Sequence, residues 1–222
     1  MKTENIKKAL ESVSGTDLYR PLFHKPFAIG LYIYSTNACA MLRVPKYMVD
    51  GYKIQEDDSL IRKCPSFFKE KFISSFNIKY SVLSDIEKMI PTVDEYIETN
   101  TDGECKECEG SGEVEWEFKG HCRDFDCPVC EGEGNIPKSK RTKSGRKIFD
   151  ENSYIDIKST RLSFSRILEL KAICDSLNID LIEVSEILEP SSPVLFKIGP
   201  SELILMPVIQ AKEQNIIYTI KN

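Results

Sequence analysis

The chain has 222 residues, of which 41% are hydrophobic and 29% charged, an ordinary globular composition with room for one large or two small domains. Its formal net charge of −5 excludes a protein whose whole surface embraces nucleic acid, because such binding rests on many Lys and Arg neutralising phosphates; local basic patches are still allowed. The start "MKTENIKKALES" has no apolar signal stretch, and Lys197 and Glu202 break the longest apolar run, "SPVLFKIGPSELILMPVI", so a soluble, cytoplasmic protein with no membrane partner is expected.

In "TENIKKALESV", Ile6, Ala9, Leu10 and Val13 recur at helical spacing with Lys7, Lys8 and Glu11 outside, which predicts an amphipathic helix. "FAIGLYIYS" and "ACAMLRVP" follow as strands, separated by a polar turn at Thr36 and Asn37. Between Asp50 and Asp102, "CPSFFKEKF" and "SDIEKMIP" read as short helices packed on a sheet, the second opening with a Ser84-x-x-Glu87 capping box and ending before Pro91. Cys39, Cys64 and Cys174 lie in apolar surroundings and read as small core residues.

The middle of the chain repeats itself. "CKECEGSG" and "CPVCEGEG" are both Cys-x-x-Cys-x-Gly-x-Gly, and four of the eight cysteines, Cys105, Cys108, Cys127 and Cys130, have metal-ligand spacing. A reducing compartment disfavours disulfides, and two knuckles brought together by a hairpin supply the four soft ligands that one structural Zn2+ takes in a tetrahedron. Gly110, Gly112, Gly132 and Gly134 allow the chain to turn its N–H groups back onto the sulfurs. Val114, Trp116 and Phe118 alternate with Glu113, Glu115 and Glu117, which predicts a strand, and Gly120 begins the return. A thioredoxin-like pair comes singly at a helix start, unlike these two glycine-rich turns, so zinc is preferred over redox chemistry. His121 and Cys122, at the hairpin tip, are spare to a complete shell. The repeat resembles the cysteine-rich region of DnaJ-type co-chaperones, over about 30 residues and without the His-Pro-Asp of a J domain, so a co-chaperone function is not implied.

After the second knuckle, "KSKRTKSGRK" carries Lys138, Lys140, Arg141, Lys143, Arg146 and Lys147 and no acid. Without aromatic residues to stack on bases it reads first as a solvated linker, and second as a set of nucleic-acid contacts. "SFSRILELKAICDSL" then repeats the one-sided helix with Leu170, Ile173, Cys174 and Leu177, followed by strands in "DLIEVSEIL", "PVLFKIG" and "ELILMPVI" with a turn at Pro200. Thr3 to Pro45 and Phe164 to Pro207 each span about 42 residues, as if one supersecondary unit were used twice.

"SSPVLFKIGPSELILMPV", with its Met206-Pro207 ending, and "YIYSTNACAMLRVP" resemble the repeated unit of the bacterial sliding clamp, the beta subunit of DNA polymerase III. The resemblance implies an α+β, DNA-clamp-like fold of repeated helix-plus-antiparallel-sheet units, helices on one face, with a zinc-binding β-hairpin inserted. The divisions expected are a first half at 1–103, the zinc hairpin at 104–135, and a basic linker with the second half at 136–222. Clamp helices present basic residues to phosphates, whereas here Lys7, Lys8, Arg161, Arg166 and Lys171 are balanced by Glu4, Glu11, Glu169 and Asp175. No catalytic set assembles around His24 or His121, so a non-enzyme without small-molecule substrate is expected. DNA or replication proteins are the partners the resemblance implies; the alternative is an adaptor that uses Trp116, Phe118 and Phe125 as a recognition edge without DNA contact.

Overall fold

The computed structural model of the protein describes residues 3–69, 74–186, 191–209 and 215–220. The chain divides into two compact units, one formed by Met1–Pro91 with Asp150–Asn222 and the other by Thr92–Phe149. The second unit therefore begins before and ends after the 104–135 stretch marked by the cysteines.

In the first unit, α1 (Thr3–Ser12) buries Ile6, Ala9 and Leu10, and Val13 just beyond it. Its counterpart α4 (Phe164–Leu177) buries Ile167, Leu170, Ile173, Cys174 and Leu177, and ends on Asn178 in the left-handed region, whose N–H returns to the carbonyls of Cys174 and Asp175. The two helices pack on each other. Each is followed by antiparallel strands: β1 (Phe27–Ile29), β2 (Tyr32–Thr36) and β3 (Ala40–Pro45) after α1, and β11 (Leu181–Glu186), β12 (Val194–Ile198) and β13 (Ser201–Leu205) after α4. β4 (Ser74–Lys79) completes a seven-stranded antiparallel sheet in the order β1-β2-β3-β13-β12-β11-β4. The first six strands of that order read the same from both ends, so the repeated unit expected from the sequence is present, joined where β3 meets β13.

Strand alternation sorts the core into two layers. Leu42, Val44, Leu203, Leu205, Val194 and Phe196 face α1 and α4, and α3 (Tyr80–Met89) adds Leu83 and Ile86 to the same layer. Tyr34, Leu195 and Ile204 point the other way, toward Cys64 and Phe68 of α2 (Asp58–Phe67) and the residue after it. Full burial of each such aliphatic side chain contributes about 1.5–3 kcal/mol. The helices are thus not confined to one face, as the clamp resemblance implied, because α2 covers the second. β9 (Tyr154–Ile157), β10 (Thr160–Ser163) and β14 (Ile216–Ile220) form a separate small sheet in which β14 runs parallel to β9. Among the described residues no helix is long and apolar enough to cross a membrane.

Three local expectations change. "FAIGLYIYS" is a hairpin, because Gly30 takes a φ of 57° and splits it into β1 and β2. Ser84 does not open a helix: α3 starts at Tyr80, whose N–H donates to the Asp180 carbonyl at 2.8 Å, a backbone partner that replaces a side-chain cap. Cys39 is exposed, since it lies in the β2–β3 turn, where Asn37 Oδ1 accepts from the Cys39 and Ala40 N–H groups and Ala38 has φ 70°. Cys64 and Cys174 are buried as expected, and burial pushes their thiols up to about 11 and about 12. The expected helical residues 70–72 and strand residues Ile187 and Leu188 lie outside the described residues.

In the second unit β5 (Thr92–Glu104) pairs with β8 (Asn135–Phe149) in a long antiparallel ribbon, and β6 (Glu113–Phe118) pairs with β7 (His121–Asp126) in a short hairpin. Lys119 and Gly120 make the hairpin turn with φ of 53° and 76°, the two left-handed residues a tight two-residue turn takes. The basic run is therefore not a linker. It is strand β8, in register with β5, where Lys143 meets Asp94 and Arg141 meets Glu98.

Candidate metal centre

The two knuckles close on each other through reciprocal backbone bonds. The Cys105 N–H donates to Gly134 O at 2.8 Å, and the Cys127 N–H donates to Gly112 O at 2.7 Å, so each knuckle begins where the other ends. Within each, the chain reverses through left-handed Glu109 and Gly110, or Glu131 and Gly132. The reversal aims the Gly112 N–H at Cys108 Sγ (3.3 Å) and the Gly134 N–H at Cys130 Sγ (3.2 Å). Both glycines are required by space: a Cβ on Gly112 would come within 2.3 Å of Gly132 O, and one on Gly134 within 2.4 Å of Gly110 O.

This closure brings Cys105, Cys108, Cys127 and Cys130 together, with all four sulfurs within 4.8 Å of one another. Cys105 and Cys127 sulfurs are 3.9 Å apart, and those of Cys108 and Cys130 are 3.7 Å apart. A tetrahedral site with metal–sulfur bonds of about 2.3 Å has edges of about 3.8 Å, so the spacing suits one soft metal ion. The cysteines are free rather than disulfide-bonded. Burial works to raise the Cys108 and Cys130 thiols; the Gly112 N–H and the neighbouring sulfurs nevertheless bring Cys108 down to about 7, while burial and the other three sulfurs push Cys130 up to about 11. Four thiols crowded this closely are suited to a cation that replaces their protons.

The cluster is also the core of its unit. The four cysteines are the buried hydrophobic residues there, with only Val114 and Ile136 packed half-buried against them. Trp116, Phe118 and Phe125 are 63%, 72% and 50% exposed. His121 and Cys122 are exposed on β7, outside the cluster.

The six basic residues singled out in the sequence are divided by the ribbon. Lys143 pairs with Asp94 at 2.5 Å, pulling that carboxyl below its usual range, and Arg141 lies 4.0 Å from Glu98. Lys147 is in register with Asp94, and Arg146 lies within the irregular stretch where the Ser144 hydroxyl donates to Glu95. Lys138 and Lys140 face Thr101 and Thr99 and make no ion pair among the described residues. On α4, Arg166 is paired with Glu169, and Lys171 with Asp175 and Glu87, so that helix offers phosphates little free charge. In the first unit a cavity of about 430 Å³ is lined by Thr36, Met41, Leu60, Lys63, Phe67 and Met206, a mainly apolar set that the sequence reading did not assemble because its members come from three distant segments.

No protein-family model matches the chain, and no curated protein matches it. Solved structures similar to it include bacterial sliding clamps. The DNA polymerase sliding clamp from Bacillus subtilis has 10% identity and a TM-score of 0.49 over 94% of this chain and 62% of that one. The DNA polymerase III beta subunit from Borrelia burgdorferi, in complex with a natural product, has 10% identity and a TM-score of 0.48 over 94% and 63%. The Helicobacter pylori beta clamp, bound to a DNA ligase peptide, has 12% identity and a TM-score of 0.44 over 92% and 62%. The chain thus spans under two thirds of the length of these clamps.

Proposed function

We propose that the protein is a non-enzymatic, cytoplasmic binding module of DNA replication or of a phage-like or mobile-element setting, with a clamp-like core and one structural zinc ion. The observation that carries the zinc reading is the convergence of four thiols in a unit that has almost no other core. Zinc with four thiolates supplies binding energy on the order of 10–16 kcal/mol, which an isolated two-stranded ribbon cannot obtain from packing. Elemental analysis of native protein should find one zinc per chain. Absence of metal, or iron marked by visible thiolate charge-transfer colour, would refute the assignment.

DNA contact in this reading falls to Lys138, Lys140, Arg146 and Lys147, the cations of the run that make no ion pair among the described residues. The apolar cavity beside Met206 and Lys63 is suited to a side chain of a replication-protein peptide. A second reading, an adaptor without DNA contact, is favoured by the neutralised cations of β8 and α4 and by the exposed Trp116, Phe118 and Phe125. Ionic strength separates the two, since only phosphate contacts give an affinity for DNA that falls with salt.

A further inference from the structure

The hairpin β6–β7 has two faces of opposite chemistry. Its register sets Val114 opposite Phe125, Trp116 opposite Arg123 and Phe118 opposite His121, so alternation gathers the aromatic residues on one side. Glu113 opposite Asp126, Glu115 opposite Asp124 and Glu117 opposite Cys122 fill the other. Carboxylates directly opposite across a ladder repel and destabilise it, so this face is an arrangement that an external cation relieves. Glu115 accordingly holds the Cys122 thiol above its ordinary range.

From Glu104 to Gly134 there are ten Asp and Glu residues against Lys106, Lys119 and Arg123. Phosphates approaching within a Debye length of about 10 Å are repelled, which argues against single-stranded nucleic acid stacking on the aromatic face. The two strands form a sheet by themselves, so each also has an unpaired outer edge among the described residues. Trp116, Phe125 and Pro128 line a shallow concavity with Asp126 at its border.

Resting on the adaptor reading, we infer that this hairpin docks an extended segment of a partner protein in which apolar residues alternate with Lys or Arg. A strand added to an open edge places alternate side chains on opposite faces. Its apolar residues then extend the Val114–Trp116–Phe118 row, and its cations lie beside Glu113, Glu115 and Glu117. Neither an acidic strand nor a helix with one cationic face satisfies both rows at once.

Trp116 is the chain's single tryptophan and reports from the site itself. The full-length, zinc-loaded protein is titrated with an alternating Val-Lys peptide, a peptide of the same composition in blocks, an alternating Val-Glu peptide and oligothymidylate. The expected result is a saturable blue shift of Trp116 emission with alternating Val-Lys alone, weakened by salt. Affinity should fall roughly tenfold or more in Phe118→Ser and in the Glu113→Gln/Glu115→Gln/Glu117→Gln variant, both retaining one zinc. An equal response to the block or Val-Glu peptide overturns the inference and leaves the adaptor reading standing. A response to oligothymidylate in place of peptide overturns both. No response to any peptide, or a shift that follows protein concentration without peptide, as a second copy would cause, also overturns the inference.

Discussion

Leu42 and Leu203 face each other across the junction of β3 and β13, and neither is exposed at all. The same number of residues separates them as separates Thr3 from Phe164, the first residues of the two paired helices. The junction is therefore the point about which the two halves are related, and both leucines pack beneath α1 and α4.

Leu42→Ala and Leu203→Ala should each destabilise the first unit by about 2–5 kcal/mol in urea denaturation followed by far-ultraviolet circular dichroism. Because the two side chains are direct neighbours, the double variant should depart from the sum of the single ones by about 0.5–3 kcal/mol. Additive losses would mean that the junction is not a shared packing site.

Cys105→Ser or Cys127→Ser should abolish stoichiometric zinc and speed hydrogen exchange throughout β5–β8, while the seven-stranded sheet keeps its protection. The two units have separate cores, Cys105 belonging to one and Leu42 to the other. Equal deprotection of both units would contradict this independence.

Gly112→Ala and Gly134→Ala should each weaken metal binding by roughly 10–100-fold in competition with a chromophoric chelator, because the added Cβ strikes a carbonyl and moves an N–H that serves a ligand sulfur. Gly120→Ala meets nothing within 4 Å and disturbs only a left-handed turn residue, so its metal affinity should stay close to that of the native protein.

The four-cysteine clasp was legible because its signal is local: four cysteines and four glycines repeat within one short stretch, and their chemistry dictates how the chain must turn. The helices α1 and α4 were legible for the same reason, each having a complete apolar face of its own. Strand β8 was not, since both faces of a two-stranded ribbon are solvated and Lys138–Lys147 shows no period-two burial to read. The start of α3 was misplaced because its first N–H is satisfied by the distant Asp180. Strand β14 was missed since its parallel pairing with β9 depends on residues far away in the chain.

Alkaline pH should loosen the first unit. The Cys174 thiol stays protonated up to about 12 when folded but ionises near 9.0 when unfolded, so the unfolded chain releases its proton first and stability falls as pH rises between those values. Cys174→Ala should be less stable at pH 7, with a fall between pH 9 and 12 shallower by about 1.4 kcal/mol per pH unit. Matching slopes in the two proteins would show that this thiol is not what is titrating.

Retention on duplex DNA should be lost with salt, with a slope of log K against log salt near about −4 for four neutralised phosphates. Lys138→Glu with Lys140→Glu should weaken it and make the slope shallower by about 2, whereas Lys143→Ala, already committed to Asp94, should change it little. No retention at any salt would leave the adaptor reading alone.

The second unit departs after Pro91 and the chain resumes at Asp150, whose N–H donates to the Pro91 carbonyl at 2.8 Å. That bond holds the two ends of the first unit together, so Thr92–Phe149 should behave as a cassette. Replaced by a short turn, it should leave a truncated chain that still folds; transplanted between neighbouring strands of another host, it should carry its metal with it.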